Sequence, residues 1–366
     1  MNIAFLTPEY PHPAIGGSGG IGSSIKYLAR ALTEMGHKVT VLLYQQPEGE
    51  VIDDSGVIIR RIKNVKFKGL SWWLTRKKLE RIIDGLHNSG EVDLVEAADW
   101  TGITSFVQPK KCPVVIRLNG SDTYFCHIEG RPSKWINRFH EHRALRKANG
   151  IISVSEFTGK TTQNIFDIPF NYRVIHNGID VHEFTPSHHR VEKSRILYFG
   201  TLIRKKGVLE LPQIFNQVQE SNPWVELFLV GNDSADIASG SNSTWALMQP
   251  LFEAKALKKV HYLGSKTPEE LREEIQKATI CVFPSFAEAF PLSWLEAMAM
   301  EKAVVASNVG WGPELVNDGE DGLLVNPKHH DQFAEQIIEL LKDPELGHQL
   351  GKNARKSAVN KFSNMV

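Results

Sequence analysis

Two carboxylates, Glu288 and Glu296, stand in the stretch of this chain richest in groups able to do chemistry: Val282-Phe283-Pro284-Ser285-Phe286-Ala287-Glu288-Ala289-Phe290-Pro291-Leu292-Ser293-Trp294-Leu295-Glu296. An apolar run ends near Pro284 and a helical pattern begins near Pro291, a residue suited to a first helical position. The N–H groups of Phe290, Leu292 and Ser293 would then point out of a helix mouth, where orphan donors and the helix dipole favour an anion. Glu296, just inside the helix, could accept from both hydroxyls of a ribose. Glu288, ahead of it, could face another part of the same ligand. Spacing alone equally allows a solvated loop charge and a carboxylate near the positive helix end.

A second chemical element is Gly16-Gly17-Ser18-Gly19-Gly20-Ile21-Gly22, which contains a literal GxGxxG at Gly17, Gly19 and Gly22. In a dinucleotide fingerprint the glycines follow the first strand at once, and an acidic residue ends the second strand. Here Pro8, Pro11 and Pro13 intervene, and the second strand ends Leu43-Tyr44-Gln45. The glycines better suit close backbone approach to a phosphate or sugar at the mouth of a helix.

The third is basic. From 60 to 81 the chain reads RRIKNVKFKGLSWWLTRKKLER, nine basic residues against Glu80, with Trp72-Trp73 among them. Aromatic and basic side chains together suit a membrane interface, and equally a solvated face or a basic acceptor pocket. Glu96-Ala97-Ala98-Asp99-Trp100 follows a strand and is a candidate acceptor element.

The elements that must position these groups alternate. Apolar runs at 2–7, 39–43, 93–97, 114–119, 151–155 and 172–176 read as strands, with helical patterns at 25–35, 134–148 and 156–166. A polar, breaker-rich stretch follows, and the rhythm restarts. Strands are expected at 195–201, 225–230, 260–263, 280–284, 304–307 and 323–325, with helices at 207–219, 268–278, 292–300 and 330–341. Alternation of this kind predicts parallel strands with helical crossovers, so the fold class is α/β with two Rossmann-like doubly wound domains facing a cleft. The expected division is 1–185, a linker at 186–194, 195–345, and a helix at 346–366 that can cross back to the first domain. Ligands of such sheets sit at the carboxyl ends of the strands.

Bulk composition sets the frame. At 366 residues the chain is too long for one ordinary core. A zero formal charge gives no reason to expect nucleic acid as a partner. Cys112, Cys126 and Cys281 are an odd, scattered set that suits a reducing compartment and no disulfide or zinc framework. No apolar run is long enough to span a membrane. A cytoplasmic enzyme without a metal is the expectation, peripheral at the inner face of the membrane if the basic stretch docks there.

The chain resembles the retaining glycosyltransferases of family four, which have the GT-B fold. The resemblance is carried by Glu288 and Glu296, His176-Asn177-Gly178-Ile179-Asp180, Phe199-Gly200-Thr201-Leu202 with Lys206-Gly207, and the run from Asp318-Gly319 to Pro327. It implies transfer of a sugar from a nucleotide-diphosphate donor, UDP- or GDP-linked, with no cofactor. The acceptor would be a glycan, lipid-linked glycan or small molecule. By the same resemblance Glu288 lies near the transferred sugar and Glu296 on the ribose, with Ala289, Phe290, Pro291 and Leu292 supplying backbone contacts. Gly16 and Gly17 cap the diphosphate, and Lys206 stabilises the leaving group. The family's Arg position is Thr201 here, so Arg204 is expected to reach the phosphates by another route, with Lys205 as the alternative. The family's His after the fourth strand is replaced by Asn119, which can hydrogen-bond a sugar but cannot act as a base; His127 is a substitute or a lone surface histidine. A sugar-nucleotide epimerase, an inactive carbohydrate-binding protein and a dehydrogenase fit these residues less well.

Overall fold

The computed structural model describes residues 1–187, 191–192 and 194–365, which divide into two units, 1–178 with Met365 and 179–364. In the first unit the strands are β1 (Asn2–Thr7), β2 (Lys38–Gln46), β3 (Val51–Asp54), β4 (Val57–Lys63), β5 (Leu94–Ala98), β6 (Val114–Leu118), β7 (Gly150–Ser153) and β8 (Arg173–Val174). They lie in the order β3-β4-β2-β1-β5-β6-β7-β8. All neighbours are parallel except β3, which turns back on β4 through Ser55-Gly56, both in left-handed backbone. The helices are α1 (Gly20–Glu34), α2 (Ser71–Asn88), α3 (Asp122–Ile128), α4 (Trp135–Lys147) and α5 (Glu156–Phe166).

Alternate residues of β1 enter opposite cores, as a pleated strand requires. Ala4 and Leu6 pack with Leu79, Ile83 and Leu86 of α2, while Phe5 packs with Ile25 and Ala29 of α1. The basic stretch is therefore the end of a strand (60–63), a turn and the start of a core helix (71–81). Its charge density conceals the apolar residues of α2, four and three apart, that the core selects.

The second unit holds β9 (Arg195–Phe199), β10 (Glu226–Val230), β11 (Val260–Tyr262), β12 (Ile280–Phe283), β13 (Ala303–Ser307) and β14 (Leu323–Val325). They are all parallel, in the order β11-β10-β9-β12-β13-β14. Its helices are α6 (Leu211–Ser221), α7 (Thr244–Met248), α8 (Ala254–Leu257), α9 (Pro268–Lys277), α10 (Leu292–Ala299), α11 (Gly312–Leu315), α12 (His330–Lys342) and α13 (Pro344–Phe362). Every residue of β9, β12 and β13 is buried, as central strands covered on both faces must be. The winding reverses between β9 and β12, so the loops after these two strands flank the switch point where such sheets hold ligands.

The division falls at Gly178/Ile179, ahead of the expected 185, because the segment after it is tied to the tail helix. Ile179 N–H donates to the Phe362 carbonyl (2.8 Å), and Asn364 N–H to the Ile179 carbonyl (3.0 Å). The Arg355 guanidinium donates to the carbonyls of Val181, Phe184 and Ala299. The tail helix starts at Pro344, two residues earlier than expected, and α13 packs on α10, α12 and β13 of its own unit. Residues 188–190 and 193 of the expected linker lie outside the described residues. Among the described residues no helix is long and apolar enough to cross a membrane.

Candidate active site

In the second unit the loops leaving β9 and β12 are stitched together by backbone. The N–H groups of Phe286 and Ala287 both donate to the Lys205 carbonyl, at 2.8 and 3.1 Å. Gly207 has φ +66°, and a Cβ there would sit 1.7 Å from the Pro284 carbonyl oxygen, so only glycine allows this approach. The consequence is that Lys206 Nζ lies 2.6 Å from Glu288 Oε1, both side chains largely buried. Ser285 Oγ donates to the same carboxylate oxygen at 3.4 Å. Beneath them Tyr198 is buried and donates its hydroxyl to the Thr201 carbonyl (3.0 Å). Burial raises that phenol well above its ordinary range, and the Glu288 charge adds to the effect.

The helix α10 opens beside this pair. Pro291 is its N-cap, one place earlier than the expected first helical position, and no side chain caps the first turn. Ala289, Phe290, Pro291 and Leu292 are buried around the mouth. Glu296 is partly buried within the helix. Burial pushes its carboxyl up to about 7, the nearby Glu183 carboxylate adds, and Lys206 and Arg272 oppose. Arg272 in turn holds Glu183 at 2.5 Å. Lys206 thus acts electrostatically on both carboxylates that the sequence singles out.

Arg204 is half-exposed and held in a fork by a buried carboxylate, with Nε to Asp236 Oδ1 at 2.8 Å and Nη2 to Oδ2 at 2.7 Å. The guanidinium holds the Asp236 carboxyl far below its ordinary range, with burial opposing. This bidentate grip occupies the Nε/Nη2 edge of the guanidinium and fixes its plane.

In the first unit the anion site expected at the mouth of α1 is filled by the protein's own carboxylate. Glu9 accepts from Gly19 N–H and Gly22 N–H, both at 3.0 Å, because the loop that follows it, with Pro11 and Pro13, folds back and brings the helix end to it. Gly19 and Gly22 therefore serve a cap. Gly16 (φ +116°) and Gly17 lie on the turn anchored at His12, where a Cβ would meet nothing within 4 Å. They are the open part of the loop.

Asn119 is partly buried, and its N–H donates to Asp99 Oδ1 at 3.0 Å. The Asp99 carboxyl is pushed up to about 8, chiefly by burial, with the Glu141 carboxylate contributing; its Oδ2 is buried without a partner. Glu141, pushed up to about 7 by burial, accepts from Asp122 N–H and Thr123 N–H at the start of α3. These two carboxyls pin the segment from Asn119 to Thr123. Glu96 is committed to Arg117 (2.7 Å), and Trp100 is partly buried in the turn that follows. His127 is exposed on α3. Among the described residues no three His, Cys, Asp or Glu side chains gather to hold a metal ion.

Two family models cover almost the whole chain. Glycosyltransferase Family 4 matches 18–183 and Glycosyl transferases group 1 matches 182–357. The chain is a family 4 glycosyltransferase. An uncharacterised glycosyltransferase of Methanocaldococcus jannaschii is 27% identical over 387 residues, 99% of this chain and 95% of the relative. Sucrose-phosphate synthase from Thermosynechococcus elongatus shares the fold at a TM-score of 0.78 with 22% identity, covering 99% of this chain and 94% of its own. HepE of Anabaena, solved with UDP-glucose, does so at 0.74 with 18% identity, covering 99% and 95%. Two GT-B parallel-sheet domains are therefore established for this glycosyltransferase.

Several residues that hold these side chains and loops in place carry no local signal. Glu9, Asp236, Tyr198 and Ser285 act through partners that only folding brings near, although Asp236 after a strand and Glu9 before a glycine loop are types worth suspecting. The run from Asp318 is structural: Asp321 accepts from Asn317 N–H (2.7 Å), Asn317 Nδ2 (3.2 Å) and Ser357 Oγ (2.6 Å), binding the loop to α13.

Proposed function

We propose that this glycosyltransferase takes its sugar from a UDP- or GDP-linked donor. It transfers that sugar with retention to a hydroxyl of a glycan, lipid-linked glycan or small acceptor, on the cytoplasmic side. The Lys206–Glu288 pair carries the proposal. An ammonium 2.6 Å from a carboxylate, at the carboxyl end of the central strands and beside an uncapped helix mouth, suits a phosphate next to a sugar. As the bond to the donor breaks, negative charge grows on the departing diphosphate, and Lys206 with the α10 dipole stabilises it. Arg204 replaces the cation missing at Thr201, with Asp236 as the residue that positions it. Glu288 faces the sugar and Glu296 the ribose, with Ala289, Phe290, Pro291 and Leu292 around them. Gly16, Gly17 and Asn119 are assigned to substrate from the first unit. UDP-glucose in the HepE structure supports the donor class.

The test is a thermal-shift screen against UDP-, GDP- and ADP-sugars, followed by NMR of the product anomer. A UDP- or GDP-sugar is expected to raise Tm by on the order of 5 °C at saturation. No response to either donor class, or a product of inverted configuration, overturns the proposal.

A further inference from the structure

We propose that the first unit carries a membrane-docking platform formed by two helix beginnings, and that its partner is a bilayer surface of anionic headgroups. The inference goes beyond the donor chemistry and does not depend on it.

The structure sorts the basic stretch 60–81. Arg60 is paired with Glu91 and Arg61 with Glu50, while Lys77 is paired with Glu80. Lys78 Nζ donates to the Lys63 carbonyl, and Arg76 is buried over the Trp72 ring. Lys63 and Arg81 are exposed as well, but exposed apolar and basic side chains come together at the turn into α2, where Lys66 and Lys68 flank Phe67 (57% exposed), with Leu70 and Trp72 exposed just after. The turn is stiff: Ser71 Oγ donates to the Phe67 carbonyl and accepts from Phe67 N–H, at 2.7 and 2.8 Å.

The second beginning is that of α4. Trp135 is 77% exposed and Phe139, one turn on, 47%, with Lys134 exposed beside them and Arg138, also exposed, donating to the Ile165 carbonyl. Trp72 and Phe139 join the two beginnings. The His140 ring lies 5.3 Å from Trp72 and 5.3 Å from Phe139, and Phe106 touches both aromatic rings from below. A contiguous exposed aromatic patch rimmed by lysine and arginine marks an interaction surface.

Charge selects the occupant. No carboxylate lies between Lys66 and Leu79, and the only one from Lys134 to Lys147, Glu141, is buried. A second copy of this face would set lysine against lysine, which costs association. An anionic headgroup layer complements the cations and accepts aromatic rings at the depth where water meets acyl chain.

The experiment is flotation of the full chain with phosphatidylcholine vesicles, with and without phosphatidylglycerol. Phe67→Ser/Trp135→Ser and Lys66→Glu/Lys68→Glu serve as variants, all at exposed positions. Wild type is expected to float with the anionic vesicles at low salt and to stay behind with phosphatidylcholine alone. Each double variant is expected to lose at least about tenfold in partition. Three results overturn the proposal. One is a wild type that does not float on anionic vesicles, and another is flotation that neither variant weakens. The third is a wild-type dimer in sedimentation velocity that Phe67→Ser/Trp135→Ser dissociates, which would assign the face to a second copy. Vesicle binding requires no donor, so failure of the donor proposal leaves this test intact.

Discussion

Lys206 neutralises Glu288 in the resting protein, and in the proposed reaction it also meets charge on a leaving diphosphate. Replacing it with methionine keeps most of its stem and removes the ammonium. Lys206→Met is expected to lower kcat by about 10²–10³ while donor binding by calorimetry persists. An unchanged kcat would remove the cation from the mechanism. Glu296 gives a pH signature. Its carboxyl is raised to about 7, chiefly by burial, so the folded protein holds the proton more tightly than the unfolded chain. The unliganded fold therefore loses stability as pH rises from the ordinary carboxylate range through about 7. The ionised carboxylate is the better acceptor for two hydroxyls, so donor affinity should strengthen across the same window. Calorimetric titration of wild type and Glu296→Gln on either side of that pH checks this, and only wild type should show the rise.

At the scale of elements, the site rests on how closely two loops approach. Gly207→Ala puts a Cβ into the Pro284 carbonyl and keeps a left-handed backbone, so the loops after β9 and β12 must separate. The expected cost is about 3 kcal/mol or more in urea unfolding. Gly240→Ala is the control: it has φ +75° but open space around the added carbon, and about 1 kcal/mol is expected. Equal costs would show that backbone conformation alone, without the approach to Pro284, explains Gly207. The beginning of α1 depends similarly on one side chain. Glu9→Ala frees Gly19 N–H and Gly22 N–H and should cost about 1 kcal/mol by the same measurement.

For the molecule as a whole, net charge is zero, yet the first unit buries carboxyls that prefer to stay neutral. Asp99 and Glu141 are raised to about 8 and about 7, in both cases chiefly by burial. Both bind protons more tightly folded than unfolded, so their contribution is full at low pH and is lost as pH rises toward about 8. The slope is at most about 1.4 kcal/mol per pH unit for each group. Amide exchange in β5 and β6 should therefore be slower, once corrected for its intrinsic pH dependence, at mildly acid than at mildly alkaline pH. Asp99→Asn should flatten part of that dependence; an unaltered slope would place it elsewhere. Exchange at named strands reads this unit by itself.

The sequence by itself determined the alternation of strands and helices in both halves, the family, and the candidacy of Glu288, Glu296 and Lys206. Each of these is written in a short window: a buried apolar run, a helical period, a glycine or proline at a turn. The tertiary structure decided the partners. Lys206 meets Glu288 across 82 residues of chain, and Arg204 is taken by Asp236 across 32. It also gave the donors of Gly19 and Gly22 to Glu9 while leaving Gly16 and Gly17 open, and it divided 60–81 into the end of a strand, a turn and the start of a core helix. Local propensity has no knowledge of which loops arrive at the same end of a sheet. That is set by the order of the strands, which places the loops after β9 and β12 side by side at the switch point.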